Sequence, residues 1–159
     1  MSDIYEILEE IATILTEEGA RISSAESCTG GLIGKYFTDR AGSSVYYESG
    51  IISYSNEVKE RVLGVPGDIL RMRGAVSEET ARAMAEGVKA LMRTEYGVAT
   101  TGIAGPGGAT ETKPVGLVYI GVSGPTETKV YEEHFAGSRA DVREATAAAA
   151  LRYVKEMLA

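Results

Sequence analysis

Apolar residues recur at intervals of three and four at the start of the chain, where Ile4, Ile7, Leu8, Ile11, Ile14 and Leu15 fall on one side of a helical wheel. This spacing predicts an amphipathic helix over residues 3–18, closed by Gly19 and opened by Asp3 with Glu6 as a capping box. Residues 21–25 read as a short strand leading into Glu26-Ser27-Cys28-Thr29-Gly30-Gly31. After it Leu32, Ile33, Tyr36 and Phe37 restore the helical period, so the unit is strand, turn, helix. Residues 45–53 are rich in aromatic and β-branched side chains and form the next predicted strand, followed by a short helix capped by Ser55 or Asn56 and ended by Gly64. Pro66 opens a further turn or two, to Arg73. Ser77 with Glu78 and Glu79 marks a strong helix start, and that helix is expected to reach about residue 95 before a strand over 96–103.

Gly, Pro and Ala dominate residues 104–115, which are expected to form a surface loop. Segments 116–122 and 128–135 alternate like strands and join through Gly124-Pro125 as an antiparallel hairpin. Ser138 caps a long last helix with Val142, Ala145, Ala149 and Tyr153 on one face. Interleaved helices and strands followed by a hairpin imply an α/β fold: a mixed, mostly parallel sheet with helices on both faces. With no internal repeat or linker, residues 1–159 are read as a single domain.

Composition narrows the class. Hydrophobic residues at 44% and charged residues at 25% are those of a chain that folds around a core, and at this length a domain buries about 70% of its unfolded surface. No apolar run approaches the ~18 residues needed to cross a bilayer, and the first ten residues are acidic where a signal peptide needs basic charge, so a cytoplasmic protein is expected. One cysteine and one histidine make neither an internal disulfide nor a closed zinc site, and neither metal nor cofactor is expected. The net charge of −7 has the wrong sign for gripping nucleic acid through a broad basic face, which favours a small-molecule partner.

Candidate chemistry starts by elimination. His134 is the single histidine and sits on a predicted strand, so a triad must use it or be absent, and a nucleophilic enzyme built without it needs a lysine base. Ser27 lies where a strand gives way to a helix. First-turn amides there can hold an oxyanion or phosphate and activate a nucleophile, while the plainer role for a serine at such a place is an N-cap. Gly30 and Gly31 favour close approach by a ligand, because glycines weaken a helix unless something must fit beside them. Cys28 is the rival nucleophile, or a small buried apolar group. Tyr54-Ser55-Asn56-Glu57-Val58-Lys59 also runs from a strand end into a helix, on the same sheet edge as Ser27 if the two strands are parallel. Lys59, if buried, can take the serine proton; exposed, it is solvated charge on an electrostatically poor helix start. Tyr54 either relays a proton, binds substrate or packs. Residues 100–108 lack the dinucleotide spacing, and Gly34-Lys35 lacks the first glycine and the following hydroxyl of a P-loop, which leaves the 104–115 loop as a ligand lid.

Six segments taken together resemble a known family. Ala25-Glu26-Ser27-Cys28-Thr29-Gly30-Gly31, Gly42-Ser43-Ser44, Tyr54 to Lys59, Gly74-Ala75-Val76-Ser77, Gly102-Ile103-Ala104-Gly105-Pro106 and Lys113-Pro114-Val115-Gly116 occur in this order in the C-terminal domain of the competence- and damage-inducible protein CinA, and the resemblance covers essentially the whole chain. It implies a three-layer α/β/α sandwich and an amidohydrolase acting on nicotinamide mononucleotide, releasing nicotinate mononucleotide and ammonia. By position it implies Ser27 as nucleophile, Lys59 as base and Tyr54 assisting. Thr101 would line the pocket, and Arg139 or Arg143 would meet the phosphate. With the turn and loop positions Thr29, Gly30, Gly31, Gly102 and Gly105, these make the expected substrate-binding set. The family often carries an N-terminal domain of molybdopterin-binding type, whose activity is not expected here. Ser138 departs from an acidic residue common in relatives and is assigned only helix capping. A non-catalytic nucleotide-binding module and a thiol enzyme using Cys28 are the competing expectations. The alanine-rich stretch 145–150 suits close helix packing and a homodimer.

Overall fold

The computed structural model describes residues 3–159. Five strands form one sheet in the order β2-β1-β3-β4-β5, with β1 Ile22–Glu26, β2 Tyr47–Ile52, β3 Tyr96–Gly102, β4 Leu117–Ser123 and β5 Thr128–His134. β1 pairs parallel with both β2 and β3, while β3 with β4 and β4 with β5 are antiparallel, so β4 alone runs against the rest. The sheet is therefore mixed, as expected. Burial follows strand position: β1 is buried along its whole length, whereas the edge strands β2 and β5 alternate between half-buried and exposed residues.

Helices cover both faces. On one side α1 (Ile4–Glu18), α2 (Leu32–Asp39) and α6 (Arg139–Leu158) close over Ile22, Val98, Val118, Ile120 and Val122. On the other, α5 (Glu78–Met92) and α4 (Gly67–Arg73) pack with Leu63 and Val65, beyond α3 (Asn56–Arg61), against Ala25 and Ala99. Adjacent Val98 and Ala99 belong to opposite layers, the direct result of strand alternation. α5 lies close on the sheet because glycines face it: a Cβ at Gly97 would stand 2.4 Å from the Ala85 carbonyl oxygen, and one at Gly121 2.7 Å from that of Ala81.

Several predicted details shift. Asp3 sits at the N-cap of α1 but its side chain caps nothing, so the Asp3 and Glu6 capping box does not form; the complete box is at α6, between Ser138 and Asp141. A single 3₁₀ turn at Ser43–Val45 displaces the start of β2 to Tyr47. α5 stops at Met92 because Arg93 turns left-handed; its amide donates to the Ala90 carbonyl and the Thr94 amide to that of Lys89, which closes the helix. α6 buries Val142, Thr146, Ala147, Ala149, Ala150, Leu151 and Val154, a face rotated from the one expected; Ala145 and Tyr153 lie at its margin.

Candidate active site

β1, β2 and β3 end side by side, and from β1 the chain goes first to one neighbour and later to the other. A crevice at the carboxyl ends of such strands is where open α/β sheets bind ligands. Ser27 follows β1 directly, its amide donating to the Thr100 carbonyl on β3 at 3.0 Å. α2 begins only at Leu32, with Gly31 as its N-cap, so Ser27 is not the helix cap. The hydroxyl is left for other work.

α3 starts immediately after β2, fixed by the Ser55 side chain, which accepts from the Val58 amide. One turn in, Lys59 reaches back into the crevice and is 1% exposed. Its Nζ lies 2.8 Å from the Ser53 carbonyl, 3.3 Å from that of Tyr54 and 3.2 Å from Ser27 Oγ. Lys59 falls in the last turn of the short α3, but its side chain runs back past the helix start, where the Ser53 and Tyr54 carbonyls, rather than the helix dipole, receive the amine. Burial brings the Lys59 ammonium down from the ordinary lysine value to about 8. A neutral amine has two hydrogens and one lone pair. The two carbonyls can only accept, so they take the hydrogens and the lone pair is left for the serine hydroxyl.

The crevice, about 270 Å³, is lined by Ser27, Cys28, Tyr54, Lys59, Thr101 and Arg139, together with Ala75, Val76 and the loop from Gly102 to Gly108. Thr101 is held by a bond from its hydroxyl to the Ala75 carbonyl. Tyr54 is 64% exposed, and its hydroxyl accepts from Arg139 Nη2 rather than meeting Ser27 or Lys59. Its contribution to Lys59 is its carbonyl, and it stands as a wall of the mouth. Arg139 also donates to the Gly105 carbonyl, tying the first residue of α6 to the glycine loop across the opening.

Four expected ligand contacts fall elsewhere. Thr29 is fully buried and its hydroxyl bonds Glu26 and Thr100. Gly30 donates its amide to the Ser27 carbonyl, and Gly31 donates its amide to Glu26. Arg143 donates to the carbonyls of Cys28 and Thr29 behind the turn, which leaves Arg139 as the arginine of the crevice. Burial pushes the Cys28 thiol up to about 12, so it stays protonated at neutral pH and is a poor nucleophile. His134 pairs with Glu132 on the far edge strand, outside the crevice. Among the described residues no group of three His, Cys, Asp or Glu could hold a metal ion, and no helix is long and apolar enough to cross a membrane.

Glu26 was not singled out from the sequence. It is a carboxylate with 1% exposure at the end of a wholly buried strand, accepting from the Thr29 hydroxyl and the amides of Gly31, Ile33 and Gly34. The only sequence signal is a charged residue ending an otherwise buried run.

A three-layer α/β sandwich with a buried lysine amine on a serine hydroxyl, at the carboxyl ends of parallel strands, defines the class. Residues 4–158 match the CinA C-terminal domain family, and the chain belongs to that family. It is 52% identical over 150 residues to a CinA-like protein of Syntrophus aciditrophicus, covering 94% of this chain but 36% of the relative, so it spans little over a third of that protein's length. The crystal structure of the competence/damage inducible protein CihA from Agrobacterium tumefaciens superposes with a TM-score of 0.94 at 40% identity, covering 99% of this chain and 96% of that one. That of the competence damage-inducible protein A (ComA) from Klebsiella pneumoniae gives 0.95 at 31% identity, over 99% and 98%.

Proposed function

We propose that the chain is a serine amidohydrolase that removes the carboxamide nitrogen of a pyridine nucleotide, with nicotinamide mononucleotide the substrate suggested by the family resemblance. The observation that carries this reading is the 3.2 Å approach of the buried Lys59 amine to the Ser27 hydroxyl, with the Ser53 and Tyr54 carbonyls as its other two neighbours. Neutral Lys59 takes the Ser27 proton as Oγ attacks the carboxamide carbon. The tetrahedral intermediate collapses with cleavage of the C–N bond; Lys59 returns the proton to the nitrogen, and ammonia leaves. Water, deprotonated by the same amine, then hydrolyses the acyl-enzyme and restores both groups. Arg139 at the mouth is the group placed for a phosphate, supported by its position between Tyr54 and Gly105. No metal or cofactor takes part in this scheme.

Ammonia release from nicotinamide mononucleotide by the purified protein tests it. Turnover is expected in the parent and a loss of at least about a thousandfold in Ser27→Ala and Lys59→Ala, as for removal of a nucleophile or its base. Full activity in Ser27→Ala would refute the mechanism. Nucleotide binding without any ammonia would instead make the chain a non-catalytic binding module.

A further inference from the structure

A helix N-terminus beside a nucleophile is ordinarily where an oxyanion or phosphate is received, because its first amides lack partners. In this protein those amides are already occupied. α2 has no side-chain cap of its own, and Glu26, five residues before Gly31, supplies one from the end of β1. Its Oε1 accepts from Gly31 at 3.1 Å, Ile33 at 3.0 Å and the Thr29 hydroxyl at 2.6 Å, and its Oε2 accepts from Gly34 at 3.1 Å. The protein's own carboxylate thus fills the place of an anionic ligand.

The carbonyl side of the same turn is held by Arg143 from α6. Its Nε reaches the Cys28 carbonyl and its Nη2 that of Thr29, both at 3.1 Å. Gly30 turns left-handed here, and a Cβ on it would stand 3.0 Å from Arg143 Nη2, so the guanidinium lies close against the turn. With the Ser27 amide given to Thr100, Gly30 to Ser27 and Gly31 to Glu26, the amides of Cys28 and Thr29 are the two of the turn without an oxygen acceptor among the described residues, and of these two residues Cys28 lines the crevice.

We infer that Glu26 and Arg143 are positioning residues that clamp the turn after Ser27 by its amides and its carbonyls, and thereby aim the Cys28 N–H as the oxyanion donor. This rests on Ser27 being the nucleophile. Neither side chain touches substrate; each acts through backbone that does. Glu26→Gln keeps the shape but sets an NH₂ against the Gly34 amide, and Arg143→Ala frees the Cys28 carbonyl and leaves that of Thr29 to the Leu32 amide alone.

The test uses a fluorophosphonate, which reacts at an activated serine whatever the natural substrate. Ser27 Oγ bonds to phosphorus, fluoride leaves, Lys59 takes the proton, and charge grows on the phosphoryl oxygen at the oxyanion position. Phosphonylation of Ser27 is followed by intact mass, with the rate constant expressed per folded molecule by circular dichroism. Slowing of about tenfold or more is expected in each variant, with methylguanidinium restoring the rate in Arg143→Ala only. If Glu26→Gln does not fold, Arg143→Ala and its rescue decide. Parent rates per folded molecule in the variants would overturn the clamp, since a role confined to stability changes only how many molecules are folded. Rapid phosphonylation of a parent that releases no ammonia from nicotinamide mononucleotide supports an activated Ser27 and sinks only the substrate assignment. A parent that does not react overturns nucleophile and clamp together.

Discussion

Lys59 is buried among groups that accept or share hydrogen bonds, with no carboxylate bonded to its nitrogen, and that environment sets a pH signature. The base form is the active one, so kcat/KM is expected to rise with pH up to about 8 and then level off. A flat profile between pH 6 and 9 would show that another group is the base. Stability should carry the same group. The folded chain holds Lys59 at about 8, below its ordinary value, so the unfolded chain binds more protons between those two values. The penalty of burying the ammonium is fully present below about pH 8 and is relieved as pH rises toward the unfolded value. In urea titrations the parent should gain stability over that window relative to Lys59→Met, and parallel curves would contradict the assigned shift. The identities of Ser27 and Lys59 were legible as candidates because a helix-mouth serine and a post-strand lysine are local patterns. Glu26 was not, because its role comes from three amides that only the folded turn assembles.

Helices and strands were legible where periodicity is strong, as in α1 and the hairpin of β4 and β5. Ends were less so. The end of α5 has no glycine to announce it, since Arg93 takes the left-handed role, and the face of α6 is blurred because a run of alanines offers little contrast between sides. The closeness of α5 to the sheet is likewise invisible locally, and it yields a prediction. Gly121→Ala would drive a methyl into the Ala81 carbonyl, backbone that cannot rotate aside. Overpacking of this kind costs about 1–3 kcal/mol, which should lower Tm by several degrees without altering the Ser27 and Lys59 pair. An unchanged Tm would mean that α5 is free to lift from β4.

Both hydrophobic layers lean on one five-stranded sheet, and the crevice draws on β1, α3, the loop after β3 and the start of α6. Neither layer has strands of its own to retain if the other is lost. Heating is expected to give one cooperative transition, with calorimetric and van't Hoff enthalpies in agreement; two resolved transitions would show that the layers come apart separately. Strand order was the part of the whole least open to sequence reading, because seating β3 beside β1 is settled by long-range packing.

The two carbonyls that grip Lys59 leave its free electron pair a single direction in space. A hydrogen drawn from the serine therefore travels a one-lane track, out and back over the same 3.2 Å. Whatever departs must come to that track to collect it. Bulk attached to the departing nitrogen would stand in the lane, so the architecture favours unsubstituted amides and works against N-alkylated ones.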